Sequence, residues 1–264
     1  MKHDKFIELV WAHYVQLRRN ELPWRLDISE YPVFVSEVML QQTQVSRVIP
    51  KFESWMKQFP DWSTLANASL AQVLTEWQGL GYNRRGKYLY ESAKIVADSW
   101  GSQLKHNPKE LSQLPGIGYN TAAAILVYTH NLPEVFIETN IRSVYLHHFF
   151  KDTTDVSDKE VFRLVEKTLD RENPREWYWA LMDYGSYLKK IVPNPNRKSK
   201  RYVKQSSFEG SFRQLRARIL KQVLAAGELQ VSDIQFSDGR TPEAIASLVR
   251  DGLVTLKGET IAVV

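Results

Sequence analysis

Two stretches carry residues that could do chemistry. Glu37, in "VSEVMLQQTQV" (35–45), lies between Val33 at i−4 and Leu40 at i+3, at the edge of an apolar stripe on a helix predicted after Pro32. Burial there raises a carboxyl's pKa and keeps part of it protonated near neutrality, which is what a general acid needs. The same spacing also suits a surface glutamate in a salt bridge. "LPGIGYNTAAAI" (114–125) sets Gly116 and Gly118 around Ile117, immediately before a small-residue helix. Glycine admits positive φ and close approach of another backbone. The first amides of the following helix lack internal partners and carry partial positive charge, so the turn suits a phosphate. Packing alone also turns many helical hairpins on glycine.

The elements that must position these residues are helical. Apolar residues recur at three- and four-residue spacing through residues 1–190, as in Phe6, Leu9, Val10, His13 and Tyr14, then Leu65, Leu70, Val73, Leu74 and Trp77. Pro32 falls near one helix start, Pro50 at a break or kink, and Pro60 after a helix. In "NPKELSQL" Asn107 can cap, Pro108 suits the first helical position and Glu110 completes a capping-box spacing. Residues 193–207 have little apolar periodicity and read as a basic linker. Beyond them, "SFRQLRARILKQVLAAG", "TPEAIASLVRDG" with Thr241 as cap, and a hairpin turning at Lys257–Gly258 suggest a small winged-helix module.

With 264 residues, 43% hydrophobic, the chain suits a main domain with an appendage. It has no apolar run long enough to span a membrane and begins with a charged amphipathic helix, so a soluble, intracellular, cytoplasmic protein is expected. Cys 0 excludes disulfides, thiolate zinc sites and cysteine-ligated iron–sulfur clusters. The six histidines form no HExxH, and the adjacent pair His147 and His148 would face different sides of a helix, so no metal ligands are assigned. The net charge of +5 is modest for a nucleic-acid binder. Its distribution matters more: Lys189, Lys190, Arg197, Lys198, Lys200, Arg201 and Lys204 crowd one segment, which suits either a solvated linker or a phosphate contact.

"LPWR" (22–25), "VSEVMLQQTQV" (35–45), "GLGYNRRGKYL" (79–89) and "LPGIGYNTAAAI" (114–125) follow one another in an order and spacing that resemble the helix-hairpin-helix (HhH-GPD) DNA glycosylases, over about residues 5–190. "SEVMLQQTQV" looks like the adenine DNA glycosylases of the MutY type. The resemblance implies an all-α fold of two helical subdomains with the site between them. Residues 22–130 would form a central helical barrel with the hairpin at 114–118; 1–21 and 131–192 would form the second subdomain; 193–207 would be a linker and 208–264 a winged-helix-like module. It implies a monomer acting on double-stranded DNA that carries a mismatched or damaged pair, releasing adenine opposite guanine or 8-oxoguanine by hydrolysis of the N-glycosidic bond.

By the same resemblance, Glu37 protonates adenine N7, a second carboxylate at Glu138 steadies the oxocarbenium-like sugar, and Asn140 supports the site. Gln41 and Gln42 probe the gap left by a flipped base, and Tyr82 wedges near the lesion; by themselves a glutamine pair is a polar helix face and Tyr82 a core aromatic. Trp24, Arg25 and Asp183 match pocket positions; the alternatives are an Arg–carboxylate pair with Trp24 in the core, and a helix carboxylate facing the N-terminus for Asp183. Gly116, Gly118, Tyr119, Arg84, Arg85, Lys87, Arg197, Lys198 and Lys200 would touch the DNA backbone, with a solvated face as the alternative for the basic residues. Relatives that also cut the backbone carry lysine where this chain has Asn120, which has no nucleophilic amine, so a monofunctional enzyme is implied.

Three departures stand out. Glu138 replaces the usual aspartate and adds a methylene; a misplacement of about 1 Å can cost on the order of a hundredfold in rate. A compensated site, altered substrate choice and a weak enzyme all fit that change. The four cysteines that usually hold a four-iron cluster are absent from "KKIVPNPNRKSKRY", so no cofactor is expected beyond a monovalent cation on the carbonyls around 114–119. Residues 208–264 are too few for the usual Nudix-like domain. Release of thymine or uracil opposite guanine, or non-catalytic DNA binding, are the rival readings.

Overall fold

Phe6, Val10 and Tyr14 lie one turn apart and are all buried, which sets the inner face of α1 (His3–Leu17) in a computed structural model that describes residues 1–235 and 238–264. The same logic runs along α2 (Pro23–Leu26), α3 (Glu30–Leu40), α4 (Val45–Gln58), α5 (Trp62–Ala66), α6 (Leu70–Trp77) and α7 (Arg84–Ser99). The short α8 (Pro108–Leu111) leads through the glycine turn into α9 (Tyr119–His130), followed by α10 (Thr139–Phe149), α11 (Asp158–Thr168) and α12 (Pro174–Ile191). The C-terminal part adds α13 (Phe212–Ala226), β1 (Glu228–Gln230), α14 (Thr241–Arg250), β2 (Val254–Lys257) and β3 (Thr260–Val263), the strands forming an antiparallel sheet in the order β1-β3-β2. Helices followed by a small twisted ribbon are what the winged-helix reading anticipates.

Two compact units emerge. The first comprises residues 1–33, 105–113 and 117–204. Its core joins α1, α9, α10, α11 and α12 around the fully buried Trp177, Tyr178 and Tyr145. Ala123, Ala124 and Val127 of α9 belong to this core. α10 and α12 approach closely at Gly185, where an added Cβ would lie 2.3 Å from the Asn140 carbonyl oxygen.

The second unit comprises residues 34–104, 114–116 and 205–264. Leu70 and Leu74 of α6 share one apolar cluster with Leu215, Ile219 and Val223 of α13, Leu248 of α14 and Ile261 of β3. The C-terminal module is thus packed into this unit. Polar contacts add to the seam: Arg84 of α7 meets Asp251 at 3.1 Å, Lys87 donates to the Asp251 carbonyl at 3.1 Å, and Arg216 also pairs with the Asp251 carboxylate.

Several local expectations need correction. The stretch expected as a linker at 193–207 is folded at its centre. Pro195–Lys198 make a 3₁₀ turn, Val156 N donates to the Lys198 carbonyl while its own carbonyl accepts from Lys200 N, and the buried Asn196 donates to Thr139 O at 3.1 Å and to Ser143 Oγ. Pro50 does not break its helix, since α4 runs through it. Asn107 caps through the Lys109 amide, and no reciprocal bond from Glu110 completes a box. The true capping boxes are Ser69 with Gln72 and Ser157 with Glu160. Thr241 is the first residue of α14 and its hydroxyl caps nothing; Asp238 receives the Arg240 amide instead. The last hairpin turns at Gly258–Glu259, with Lys257 and Thr260 paired. Among the described residues no helix is long and apolar enough to cross a membrane.

Candidate active site

Glu37 is 9% exposed. It does not sit at the edge of a stripe: residues 31–39 are all buried, so α3 is enclosed on every side and the carboxyl is held within an apolar helix. Val35, Val38 and Met39 flank it with at most 3% exposure. A carboxyl so placed is shielded from bulk water, the setting required of a proton donor to a bound base.

Beyond Glu37, the chain leaves α3 in a turn that bears the two glutamines. Gln42 takes a positive φ of 56°, and Tyr82, on the loop before α7, takes 47°. Non-glycine residues rarely adopt this region, and such strained positions concentrate at working sites. One side chain holds both turns. Arg85, buried, donates through Nη1 to the carbonyls of Val38, Met39 and Gln41 at 3.0, 3.0 and 2.5 Å. Through Nη2 it donates to Thr43 Oγ1 and to the carbonyls of Leu80 and Gly81, each at 3.0 Å. Burial lowers its pKa to about 10. The expected phosphate contact at Arg85 is therefore replaced by an internal brace, since its terminal nitrogens are turned inward to six acceptors.

Tyr82 is exposed, not a core aromatic. Its hydroxyl accepts hydrogen bonds from Gln205 Nε2 and from Arg213 Nη1, the latter at 2.9 Å. The guanidinium carbons of Arg85 and Arg213 lie 5.6 and 5.9 Å from its ring centroid. Gln41 reaches the Gly116 carbonyl with its amide at 3.5 Å, and Ser92 Oγ lies 3.4 Å from the Pro115 carbonyl.

Of the hairpin glycines only Gly116 needs its freedom. Its φ is +73°, and a Cβ there would fall 2.7 Å from Tyr88 Cδ2. Gly118 is extended, caps α9 without a side chain, and has open space where a Cβ would project. The first amides of α9 thus point outward with nothing from a cap side chain across them, as an anion site requires. Tyr119 and Asn120 are exposed beside that end; the Tyr119 hydroxyl donates to Glu134 Oε2 at 3.4 Å, and Asn120 Nδ2 to the Ile137 carbonyl at 3.3 Å.

In the first unit, Glu138 is the N-cap residue of α10 and makes no side-chain cap bond. Aspartate is a good cap because its short side chain folds back onto the helix amides; the extra methylene of glutamate carries the carboxylate past that position. Two residues on, Asn140 Oδ1 accepts from Lys189 Nζ at 2.7 Å. Desolvation lowers the Lys189 pKa, Arg142 adds to that shift, and Glu138 opposes it. Lys189 is legible in the sequence only as one of a basic cluster; its contact with Asn140 follows from its place one turn beyond Gly185 on α12.

Trp24 is buried, and Arg25 and Asp183 pair with one another. Asp183 receives four hydrogen bonds: Nη1 and Nη2 of Arg25 at 2.8 and 2.9 Å, and Nε and the backbone N of Arg19 at 2.6 and 3.1 Å. Arg25 also stacks 5.0 Å from the Trp179 centroid. The adenine-edge role expected of Asp183, and the base contact expected of Arg25, give way to this internal clamp, because both carboxylate oxygens are filled. Lys198 is likewise consumed, donating to the Phe150 and Lys151 carbonyls at the end of α10 at 2.7 and 2.6 Å. Arg84 and Lys87 engage Asp251, as above, while Arg197 and Lys200 are exposed.

Residues 35–171 match the HhH-GPD superfamily base excision DNA repair protein family. The solved structure of a thermostable thymine-DNA glycosylase shares the fold, with a TM-score of 0.63 at 20% identity over 75% of this chain and 90% of that one. The chain belongs to the HhH-GPD superfamily of base excision DNA repair proteins. Its relatives within that superfamily are adenine DNA glycosylases. That of Buchnera aphidicola subsp. Baizongia pistaciae is 34% identical over 184 residues, covering 68% of this chain and 51% of the relative. That of Mycobacterium tuberculosis is 30% identical over 275 residues, covering 92% of this chain and 88% of the relative. The chain spans about half the length of the Buchnera relatives, 51 to 54%.

Proposed function

We propose that the protein is a monofunctional DNA glycosylase that removes adenine mispaired with guanine or 8-oxoguanine from double-stranded DNA, acting as a monomer in the cytoplasm and without an iron–sulfur cluster. The observation that carries the reading is Glu37: a carboxyl 9% exposed among buried apolar neighbours, inside the stretch that resembles the adenine DNA glycosylases. A glutamate enclosed in this way fits a proton donor to a bound base.

On this reading the target adenosine is flipped from the duplex, Gln41, Gln42 and Tyr82 occupying the distorted stack. Glu37 gives its proton to adenine N7. The C1′–N9 bond breaks with its electron pair passing to the base, which leaves neutral. Positive charge gathers on the sugar, where the Glu138 carboxylate offsets it while Lys189 holds the Asn140 amide in a fixed orientation. Water then bonds to C1′ and returns a proton to the Glu37 carboxylate, leaving an abasic site. Asn120 offers no amine to C1′, so no Schiff base forms and the strand stays whole. The bare amides of α9, with Tyr119, Arg197 and Lys200, bind phosphates.

The test is single-turnover base release from labelled duplexes bearing A opposite 8-oxoguanine, A opposite G, T opposite G and U opposite G, with the native protein and Glu37→Gln. Adenine release that Glu37→Gln abolishes, giving alkali-labile sites and no spontaneous break, is the expected result. Release of T or U alone changes the substrate, and binding with no base released from any duplex overturns the enzymatic reading.

A further inference from the structure

Glu30, His106 and His130 converge in the first unit. Glu30 opens α3, His106 lies in the loop before α8, and His130 ends α9. His130 Nε2 is 2.8 Å and His106 Nε2 3.5 Å from the same carboxylate oxygen, Glu30 Oε1, and the two imidazole centroids are 3.9 Å apart. The three donor atoms all lie within 4.8 Å of one another.

We propose that these three residues form a site for a first-row divalent cation, with Zn2+ the fitting ion. Two imidazoles that share one carboxylate oxygen present two lone pairs and a negative charge to one point, and a cation there satisfies all three at once. Tetrahedral Zn2+ with bonds of about 2.0–2.1 Å sets its ligand atoms roughly 3.3 Å apart. The His130–Glu30 and His106–Glu30 separations of 2.8 and 3.5 Å bracket that value, and the third pair lies within 4.8 Å. Imidazole and carboxylate together favour Zn2+, Ni2+ or Cu2+ over Mg2+, which wants an all-oxygen shell. The last carbonyls of α9 carry the negative end of that helix dipole, which adds to the attraction. Three protein ligands leave a fourth position for water. The ion would join the start of α3 to both sides of the helix pair α8 and α9, clipping the base of the hairpin from three chain segments.

The test uses the full chain, freed of metal by chelation, and titrates Zn2+ by calorimetry alongside thermal melts, with His106→Ala and His147→Gln for comparison. His106 is 59% exposed at its side chain, so His106→Ala removes a ligand without opening the core. One equivalent of Zn2+ should bind, and an excess of roughly a hundred times Kd should raise Tm by about 5 °C or more, because an ion that binds only the folded state stabilises it. His106→Ala should weaken binding at least tenfold and abolish the Tm rise, His147→Gln should change neither, and Mg2+ should do nothing. Absence of Zn2+ binding, or Zn2+ binding undiminished in His106→Ala, overturns the assignment; in the second case the metal lies on other groups. Neither result bears on base release, which none of the three residues serves.

Discussion

Arg25 closes a two-pronged guanidinium fork on Asp183, Nη1 to Oδ2 at 2.8 Å and Nη2 to Oδ1 at 2.9 Å, with both side chains almost wholly excluded from solvent. A buried pair of this kind adds little net stability when complete, yet removing one partner strands the other charge and costs about 3–5 kcal/mol. Asp183→Asn should therefore lower the urea midpoint sharply, whereas its single-turnover rate under folded conditions should stay within about threefold of the native value. A rate loss of a hundredfold with unchanged stability would return Asp183 to the reacting base.

The contact between Lys189 and Asn140 leads to a second expectation. Glu138→Gln, which removes the charge that we propose offsets the sugar's, should slow base release at least about a hundredfold. Lys189→Met frees the Asn140 amide and should slow it by about tenfold, with little change in duplex affinity, and Lys189→Arg should recover most of the loss. Equal losses in affinity and rate for Lys189→Met would mean that the ammonium serves a phosphate and not the asparagine.

Tyr82 and Arg213 form a coupled pair through the phenolic hydroxyl. Arg213→Met should slow base release about fivefold in the native background and less than twofold in Tyr82→Phe, the difference being their interaction energy. Additive effects in that double-mutant cycle would show that Arg213 acts on DNA independently of the tyrosine.

His148 donates to or accepts from the Tyr184 hydroxyl at 2.8 Å, and burial first, then the neighbouring His147 and His13, depress its pKa to about 4. The unfolded chain takes up this proton near its ordinary value of about 6.5. The folded state is thus favoured by neutral His148 above that pH, and the advantage drains away as pH falls from about 6.5 to about 4. Thermal melts across that window should show Tm falling, and His148→Gln should fall less steeply. A parallel fall in both proteins refutes the assignment.

The helical body was legible because its cores are built from stripes of the α1 and α6 kind, where one-turn spacing speaks directly. The buried acid was legible too, through the motif around Glu37. What escaped was whatever depends on partners distant in sequence. Arg85 reads as one more surface cation in "NRRGK", and only the carbonyls of residues 38–41 reveal that it faces inward. Lys198 sits in a basic run and yet closes the end of α10, 47 residues before it. Asp183 reads from sequence as a base contact or a helix carboxylate, and only Arg19 and Arg25, distant in the chain, show that its oxygens are filled. Glu30, His106 and His130 are separated by 76 and 24 residues, a spacing that no local ligand pattern captures.

Arg85 gives the turn after α3 and the loop before α7 a common fastener, with three carbonyls and a hydroxyl from one and two carbonyls from the other. Two loops so joined are inherited as one part. A residue inserted into 40–43 must be answered by a change in 80–82 or be purged, so descent with modification should preserve their lengths jointly even where their side chains drift. An engineer who wishes to graft either loop elsewhere would have to move both together, and carry the arginine with them.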